Sequence, residues 1–361
     1  MGTSPFMSPS ASRHRRALSM RRRRRRRMLA AACTVLAATA AILLLLGVGS
    51  TSSSGHRAHP ALAGTRTPSS ARVALSADGM PLARPALALP GVGNPAADPI
   101  QIPFHQPPRE ALLFNLSTGA VLWQRNATMR VPIASLTKMM TALLGVKSGP
   151  PNAPVLVTRE AIDQQGSKVG EFPLGRHVPL ESVLYGLLLP SGNDAAVMIA
   201  QHVAGTVKRF VAQMNAQAAR LGMGCTRYSS PSGYFNQGNF SCARDLAVLA
   251  HEDLSQPRLA AITRTYTAAL PFPIRGGKLY LTNNNPLLIY RYPGTTGLKT
   301  GYTVAAGRCV IGTAEHDGVR LGAIVLDSNS PGKQAAEMLD AGFQEVYHLR
   351  PVAYPPLPDG A

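Results

Sequence analysis

Between residues 110 and 123 the apolar positions fall into two short blocks, Ala111-Leu112-Leu113-Phe114 and Ala120-Val121-Leu122-Trp123, separated by Ser117-Thr118-Gly119. Two apolar runs around a polar, glycine-containing turn predict a β-hairpin that opens the folded part of the chain. Residues 135–146 form an apolar-rich run stopped by Gly149-Pro150-Pro151, which predicts a helix. Further helices are expected over residues 194–204, after the Pro190-Ser191-Gly192 break, and over residues 207–221. Residues 298–303, 308–314 and 321–326 read as strands, the last two joined through His316-Asp317-Gly318, and residues 332–347 read as a closing helix. Strands at both ends with helices between them imply an α+β domain. In it, one antiparallel sheet made from the N- and C-terminal segments packs against a helical cluster.

Residues 28–49 carry no charge, and 22 such residues are enough to cross about 30 Å of hydrocarbon as a helix. The arginine run at 21–27 stands directly before them, and that charge order keeps the arginines cytoplasmic. Three readings compete: an uncleaved signal anchor, a cleaved export signal, or a nucleic-acid-binding arm beside an unrelated apolar helix. The apolar run exceeds a signal-peptide core, and Ala61-Leu62-Ala63, the best small-residue cleavage site, lies far beyond its end, which favours the anchor. Residues 50–108 are rich in Ser, Ala, Pro and Gly without sustained periodicity, as in a disordered linker. The organisation expected is therefore a basic cytoplasmic tail (1–27), a membrane anchor or signal (28–49), a flexible stalk (50–108), an extracytoplasmic main domain (109–350) and a C-terminal tail (351–361). Signal cleavage would instead make the protein secreted.

The formal net charge of +19 changes meaning once it is divided along the chain. Residues 1–108 hold 14 of the 37 Lys and Arg and 2 of the 18 acids, so the remainder carries only a modest positive excess and needs no nucleic-acid partner. Of the four cysteines, Cys33 lies in the apolar run and no pair has CxxC spacing, so the sequence carries no metal signal. Export would place Cys225 and Cys242 in an oxidising environment, where they form either a disulfide or two buried thiols.

Ser135-Leu136-Thr137-Lys138 sets a hydroxyl and an amine three residues apart at a helix start, on one face and one turn apart. A serine attacks poorly until something takes its proton, and a lysine can do so only if burial or a nearby cation leaves it neutral. By itself the pattern is weak and far more often describes an N-cap serine beside a solvated lysine. Ser191-Gly192-Asn193 lies in a break between apolar helical runs, where a hydroxyl can relay protons and an amide can orient a lysine and a peptide. Lys299-Thr300-Gly301 lies on a predicted strand. It offers a cation and a hydroxyl to a substrate carboxylate, and Gly301 leaves room for a ligand at the strand edge.

Ser-x-x-Lys, Ser-Asp-Asn and Lys-Thr-Gly are the triplets of β-lactamases and penicillin-binding proteins, and all three occur here in that order, with Gly192 in place of the middle Asp. From about residue 110 to 349 the chain resembles the low-molecular-mass D-alanyl-D-alanine carboxypeptidases of peptidase family S11, including the longer blocks Ala134-Ser135-Leu136-Thr137-Lys138-Met139-Met140, Ser191-Gly192-Asn193-Asp194-Ala195-Ala196 and Thr295-Thr296-Gly297-Leu298-Lys299-Thr300-Gly301-Tyr302. The resemblance implies a β-lactamase/transpeptidase-like fold. It also implies removal of the terminal D-alanine from peptidoglycan stem peptides, covalent inhibition by β-lactam antibiotics, and no metal or organic cofactor. It assigns Ser135 as nucleophile, Lys138 as base, Ser191 as proton relay, Asn193 as substrate-orienting amide, Lys299 and Thr300 as the carboxylate side beside Gly301, and the backbone N–H groups of Ser135 and Tyr302 as the oxyanion hole. Two departures stand out: Asn284 occupies the place of an arginine that some members use for the substrate carboxylate, and only about 60 residues follow Lys299.

Two alternatives share the triplets. A β-lactamase would need a water-activating group such as a Glu-x-x-Leu-Asn segment, which is absent between Asp194 and Lys299. A non-catalytic penicillin sensor would be expected to carry a damaged triad or a cytoplasmic signalling domain.

Overall fold

The computed structural model describes residues 74–361 apart from 78 and 235–237. The expectations for residues 1–49 and the first part of the stalk lie outside the described residues. Within them, no helix is long and apolar enough to cross a membrane.

Strands β1 (Glu110–Asn115) and β2 (Val121–Arg125) form the hairpin expected from the opening apolar blocks. They join β9 (Thr295–Thr303), β10 (Gly307–His316) and β11 (Val319–Ser328) in one antiparallel sheet of order β2-β1-β11-β10-β9. The first strand thus sits beside the last, and β9, which carries Lys299-Thr300-Gly301, is left at the edge.

Every residue of β1 is buried, because both faces of the sheet are covered. Alternation along the strand sends Leu112 and Phe114 to one face and Ala111 and Leu113 to the other. The first face meets the helical cluster: α1 (Lys138–Val146), α2 (Arg159–Ile162), α3 (Leu180–Leu188), α4 (Asn193–Ala204), α5 (Val207–Arg220), α6 (Ala243–Leu254) and α7 (Pro257–Thr263). The second face packs on α9 (Pro331–Ala341) through Ala335, Met338, Leu339 and, in the following turn, Phe343, after the short α8 (Pro286–Ile289). The closing helix expected over 332–347 is therefore a second cover layer, ending in a wider helical turn at Gly342–Val346. Three small antiparallel pairs, β3 (Val131–Pro132) with β6 (Phe240–Ser241), β4 (Pro154–Leu156) with β5 (His177–Pro179), and β7 (Thr267–Pro271) with β8 (Lys278–Thr282), tie down loops around the helices.

Two expected boundaries need correction. The second half of the expected stalk, residues 74–108, is laid against the domain: Leu87 and Ile100 are buried, and Asp98 accepts hydrogen bonds from the backbone N–H and side-chain amide of Gln124. Isolated apolar residues suffice to dock an irregular segment, and such residues leave no periodicity to detect. The residues after 350 are docked in the same way. Leu357 is buried, the Tyr354 hydroxyl donates to Asp340, and Gly332 N–H donates to Ala361 O.

Cys225 and Cys242 form a disulfide, which resolves the two readings left open by the sequence. The carboxylate of Asp245 lies near both sulfurs, but bridged cysteines offer no thiolate to a metal.

Candidate active site

The chain enters the site through a tight turn. Ala134 adopts a left-handed backbone (φ 46°), and Ala134–Thr137 form a 3₁₀ turn that passes directly into α1 at Lys138. In a 3₁₀ turn side chains three apart eclipse, so this geometry aligns Ser135 with Lys138 more closely than an α-helical start would. Lys138 Nζ lies 2.8 Å from Ser135 Oγ.

Lys138 is fully buried. Its Nζ also lies 2.8 Å from Asn193 Oδ1 and 2.8 Å from the carbonyl oxygen of Ser232. Both of these oxygens can only accept. A neutral amine has two N–H groups and one lone pair, so two acceptors consume its donors and leave the lone pair for the Ser135 hydroxyl. Burial, followed by the nearby Lys299 ammonium, holds the Lys138 amine well below the usual lysine range, against an opposing pull from Asp194.

Asn193 opens α4 and is fixed on its other side, where Nδ2 donates to Gln165 O and its backbone N–H donates to Ser167 O. The loop supplying those carbonyls is held by Asp194, whose carboxylate accepts from the N–H groups of Val169, Gly170 and Ala195. Ser191, in the break before α4, has φ 68°, and its buried Oγ has no hydrogen-bond partner among the described residues. A left-handed serine and an unpaired buried hydroxyl each cost about 1–3 kcal/mol. Such a group is poised to bond something that enters the cleft.

Strand β9 forms the opposite wall. Lys299 is buried and donates to Thr300 O, and burial pushes its amine down to about 7. A Cβ on Gly301 would stand 3.1 Å from Ile133 O and 3.3 Å from Leu136 N, so any larger residue would have to push the strand or the nucleophile turn aside by a few tenths of an ångström. Ser135, Ser191, Thr300, Gly301 and Tyr302 all line one cleft of about 580 Å³, together with Asn284 and Arg308. Among the described residues lining it there is no Asp or Glu side chain.

The structure thus brings together Ser135, Lys138 and Asn193 as one hydrogen-bonded group. It sets Ser191, Thr300, Gly301 and Tyr302 around the cleft, with Lys299 buried on the same strand near Lys138. Ser191 does not bond Lys138 in this arrangement. Sequence reading missed the Ser232 carbonyl, the Gln165 and Ser167 carbonyls and the three-way cap by Asp194; of these only Asp194, directly after Asn193, left a sequence trace, as an acid in the first turn of a helix.

The D-alanyl-D-alanine carboxypeptidase family model matches residues 102–330. D-alanyl-D-alanine carboxypeptidase DacF of Bacillus subtilis is 32% identical over 252 residues, covering 68% of this chain and 64% of its own length. DacB2 of Mycobacterium tuberculosis is 36% identical over 245 residues, covering 66% of this chain and 82% of its own length. The crystal structure of the Streptomyces K15 DD-transpeptidase superposes with a TM-score of 0.63 at 28% identity, covering 68% of this chain and 99% of that one. With the triplets converging on one cleft at the edge of the sheet, the chain belongs to peptidase family S11, the D-alanyl-D-alanine carboxypeptidases.

Proposed function

We propose that the chain is a serine-type D-alanyl-D-alanine carboxypeptidase acting on peptidoglycan stem peptides through an acyl-enzyme on Ser135, and that β-lactams acylate the same residue. The observation that carries this reading is Ser135 Oγ 2.8 Å from a fully buried Lys138 amine whose other neighbours are acceptors. Lys138 takes the hydroxyl proton as Oγ attacks the carbonyl carbon of the penultimate D-alanine. The oxyanion is held by the N–H groups of Ser135 and Tyr302. As the C–N bond breaks, the leaving amine of the terminal D-alanine receives the proton by way of Ser191. Water, deprotonated in turn by Lys138, then hydrolyses the ester and restores the Ser135 hydroxyl. Asn193 keeps Lys138 in place and offers its amide to the peptide. Among the described residues that line the cleft there is no carboxylate side chain, which favours this reading over a β-lactamase, since that needs a strong water-activating group.

The location proposed for the domain is outside the cytoplasm, held at the membrane through residues 28–49. The arginine run before the apolar span and the Cys225–Cys242 disulfide support it.

The test is release of D-alanine from a diacetylated Lys-D-Ala-D-Ala peptide by the purified chain and by Ser135→Ala. The wild type is expected to release it and the variant to lose at least about 10³-fold in rate. Equal rates would rule out Ser135 as the nucleophile.

A further inference from the structure

From Leu254 to Ala314 the chain carries no Asp or Glu, yet it holds seven Lys and Arg. Three of the seven are engaged within the domain. Arg258 pairs with Glu181, Lys299 is buried near Lys138, and Arg308 donates to the carbonyls of Asn329 and Gly360. The other four, Arg264, Arg275, Lys278 and Arg291, are exposed, and none of them forms an ion pair among the described residues.

Three of these four belong to one hairpin. Strands β7 and β8 pair Ala269 with Tyr280 and Pro271 with Lys278, so Lys278 and Tyr280, two residues apart, share the outward face while Leu279 and Leu281 point inward. Arg275 sits at the tip, and Arg264 and Tyr266 lie at the foot, just before β7. Tyr280 is 73% exposed and Tyr266 45%, so the domain buries neither ring. The inner face is fixed: Phe272 packs on Phe172, and β8 lies beside α3. The foot is clamped by Asn283, whose backbone N–H donates to Tyr266 O and whose amide donates to Thr263 O and Thr265 O. The next residue, Asn284, lines the catalytic cleft. The segment around Phe172 adds the exposed Lys168, Glu171 and Arg176, so the charge on this side stays positive. A rigid face of cations and tyrosines therefore stands beside the cleft.

We propose that the outer face of the β7–β8 hairpin, with Arg264, Arg275, Lys278, Tyr266 and Tyr280, holds a neighbouring stretch of peptidoglycan while Ser135 acts on one stem peptide, so that the preferred substrate is the polymer rather than a free stem peptide. A polymer presents the acidic groups of adjacent stem peptides together with the apolar faces of its sugars, and exposed cations interleaved with tyrosines match both. Holding the strand at a second point raises the effective concentration of stem peptides at the cleft, a gain that a free peptide too short to reach the hairpin does not share. The inference rests on the carboxypeptidase reading for the identity of the polymer.

The test compares the full-length wild type in detergent with the hairpin variant Arg264→Gln/Arg275→Gln/Lys278→Gln and with a charge-matched control on α5, Lys208→Gln/Arg209→Gln/Arg220→Gln, whose three cations are also exposed. One readout is co-sedimentation with peptidoglycan stripped of phosphodiester polymers by acid extraction. The other is the ratio of D-alanine release from that peptidoglycan to release from the Lys-D-Ala-D-Ala peptide, each ratio taken on one protein sample so that partial unfolding cancels. Three exposed charge contacts together correspond to roughly 10-fold. The hairpin variant is expected to lose about that factor in binding and in the ratio, the control to keep both, and about 0.5 M salt to bring the wild type down to the variant. Binding and a ratio equal to the wild type in the hairpin variant, or the same losses in the control, would overturn the proposal. Hairpin dependence confined to walls that retain phosphodiester polymers would overturn it too, and would give the face to a phosphate polymer. If the wild type releases no D-alanine while its sedimentation still depends on the hairpin, the carboxypeptidase reading fails and the docking face stands.

Discussion

Lys138 is surrounded so that its useful form is the neutral one: two oxygens that only accept, a serine hydroxyl, full burial and a second amine nearby. Because its folded-state proton affinity is lowered, the amine loses its proton as pH rises at values well below those of a free lysine. The second-order rate of Ser135 acylation by benzylpenicillin is therefore expected to climb with pH along a limb centred well below 10.5, measured by stopped-flow. Lys138→Arg is expected to abolish that limb and almost all acylation, since a guanidinium keeps its proton throughout. Near-normal acylation by Lys138→Arg would remove Lys138 as the base. Glu110 behaves in the opposite sense. Its side chain is buried, Oε1 accepts from Ala243 N–H, Oε2 has no partner, and burial pushes the carboxyl up to about 8. A raised folded-state value means stability that is present in acid and is lost as pH rises from about 4.5 through about 8. Glu110→Gln, neutral throughout, is expected to raise Tm by roughly 5 °C at pH 9 and to change it little at pH 5. A Tm change independent of pH would refute this.

At the scale of elements, the loop between Cys225 and Cys242 supplies the Ser232 carbonyl to Lys138 and the Pro231 carbonyl to the Thr141 hydroxyl. The disulfide closes that loop over a separation of 17 residues, which corresponds to about 3 kcal/mol of denatured-state loop entropy. Replacing both cysteines by alanine is expected to lower Tm by roughly 6–12 °C by calorimetry. An unchanged Tm would show that Thr226, Ser241 and Asp245, which bond one another across the same loop base, hold it without the bridge. The nucleophile turn, the Ser-x-Asn break and the Lys-Thr-Gly strand were legible because each is a local spacing of chemically distinctive residues. The Ser232 carbonyl was not, since any residue carries a carbonyl and this one reaches Lys138 across 94 positions. The short pairs β3 with β6 and β4 with β5 were missed for a related reason: strands of two or three residues are too brief to show alternation.

For the whole molecule, the expected α+β plan holds because, within the described residues, the main apolar blocks are the sheet strands and the central helices, and burial by both cover layers follows from them. What stayed illegible is how far the domain extends. Segments 74–108 and 351–361 dock through single residues such as Leu87, Ile100 and Leu357 and through hydrogen bonds to the body of the domain. The last of these segments also reaches the site, because Gly360 O fixes Arg308 and Ala361 lines the cleft. The whole arrangement converges on one claim, that Ser135 is acylated and that the acyl-enzyme with a β-lactam is long-lived in a cleft whose described lining residues include no carboxylate side chain. The measurement that tests it most directly is intact-protein and peptide mass spectrometry of the chain after exposure to benzylpenicillin, followed over time. The account predicts one adduct, located on the peptide that contains Ser135, absent from Ser135→Ala and persisting for many minutes. An adduct on another residue, or its loss within seconds, would contradict it.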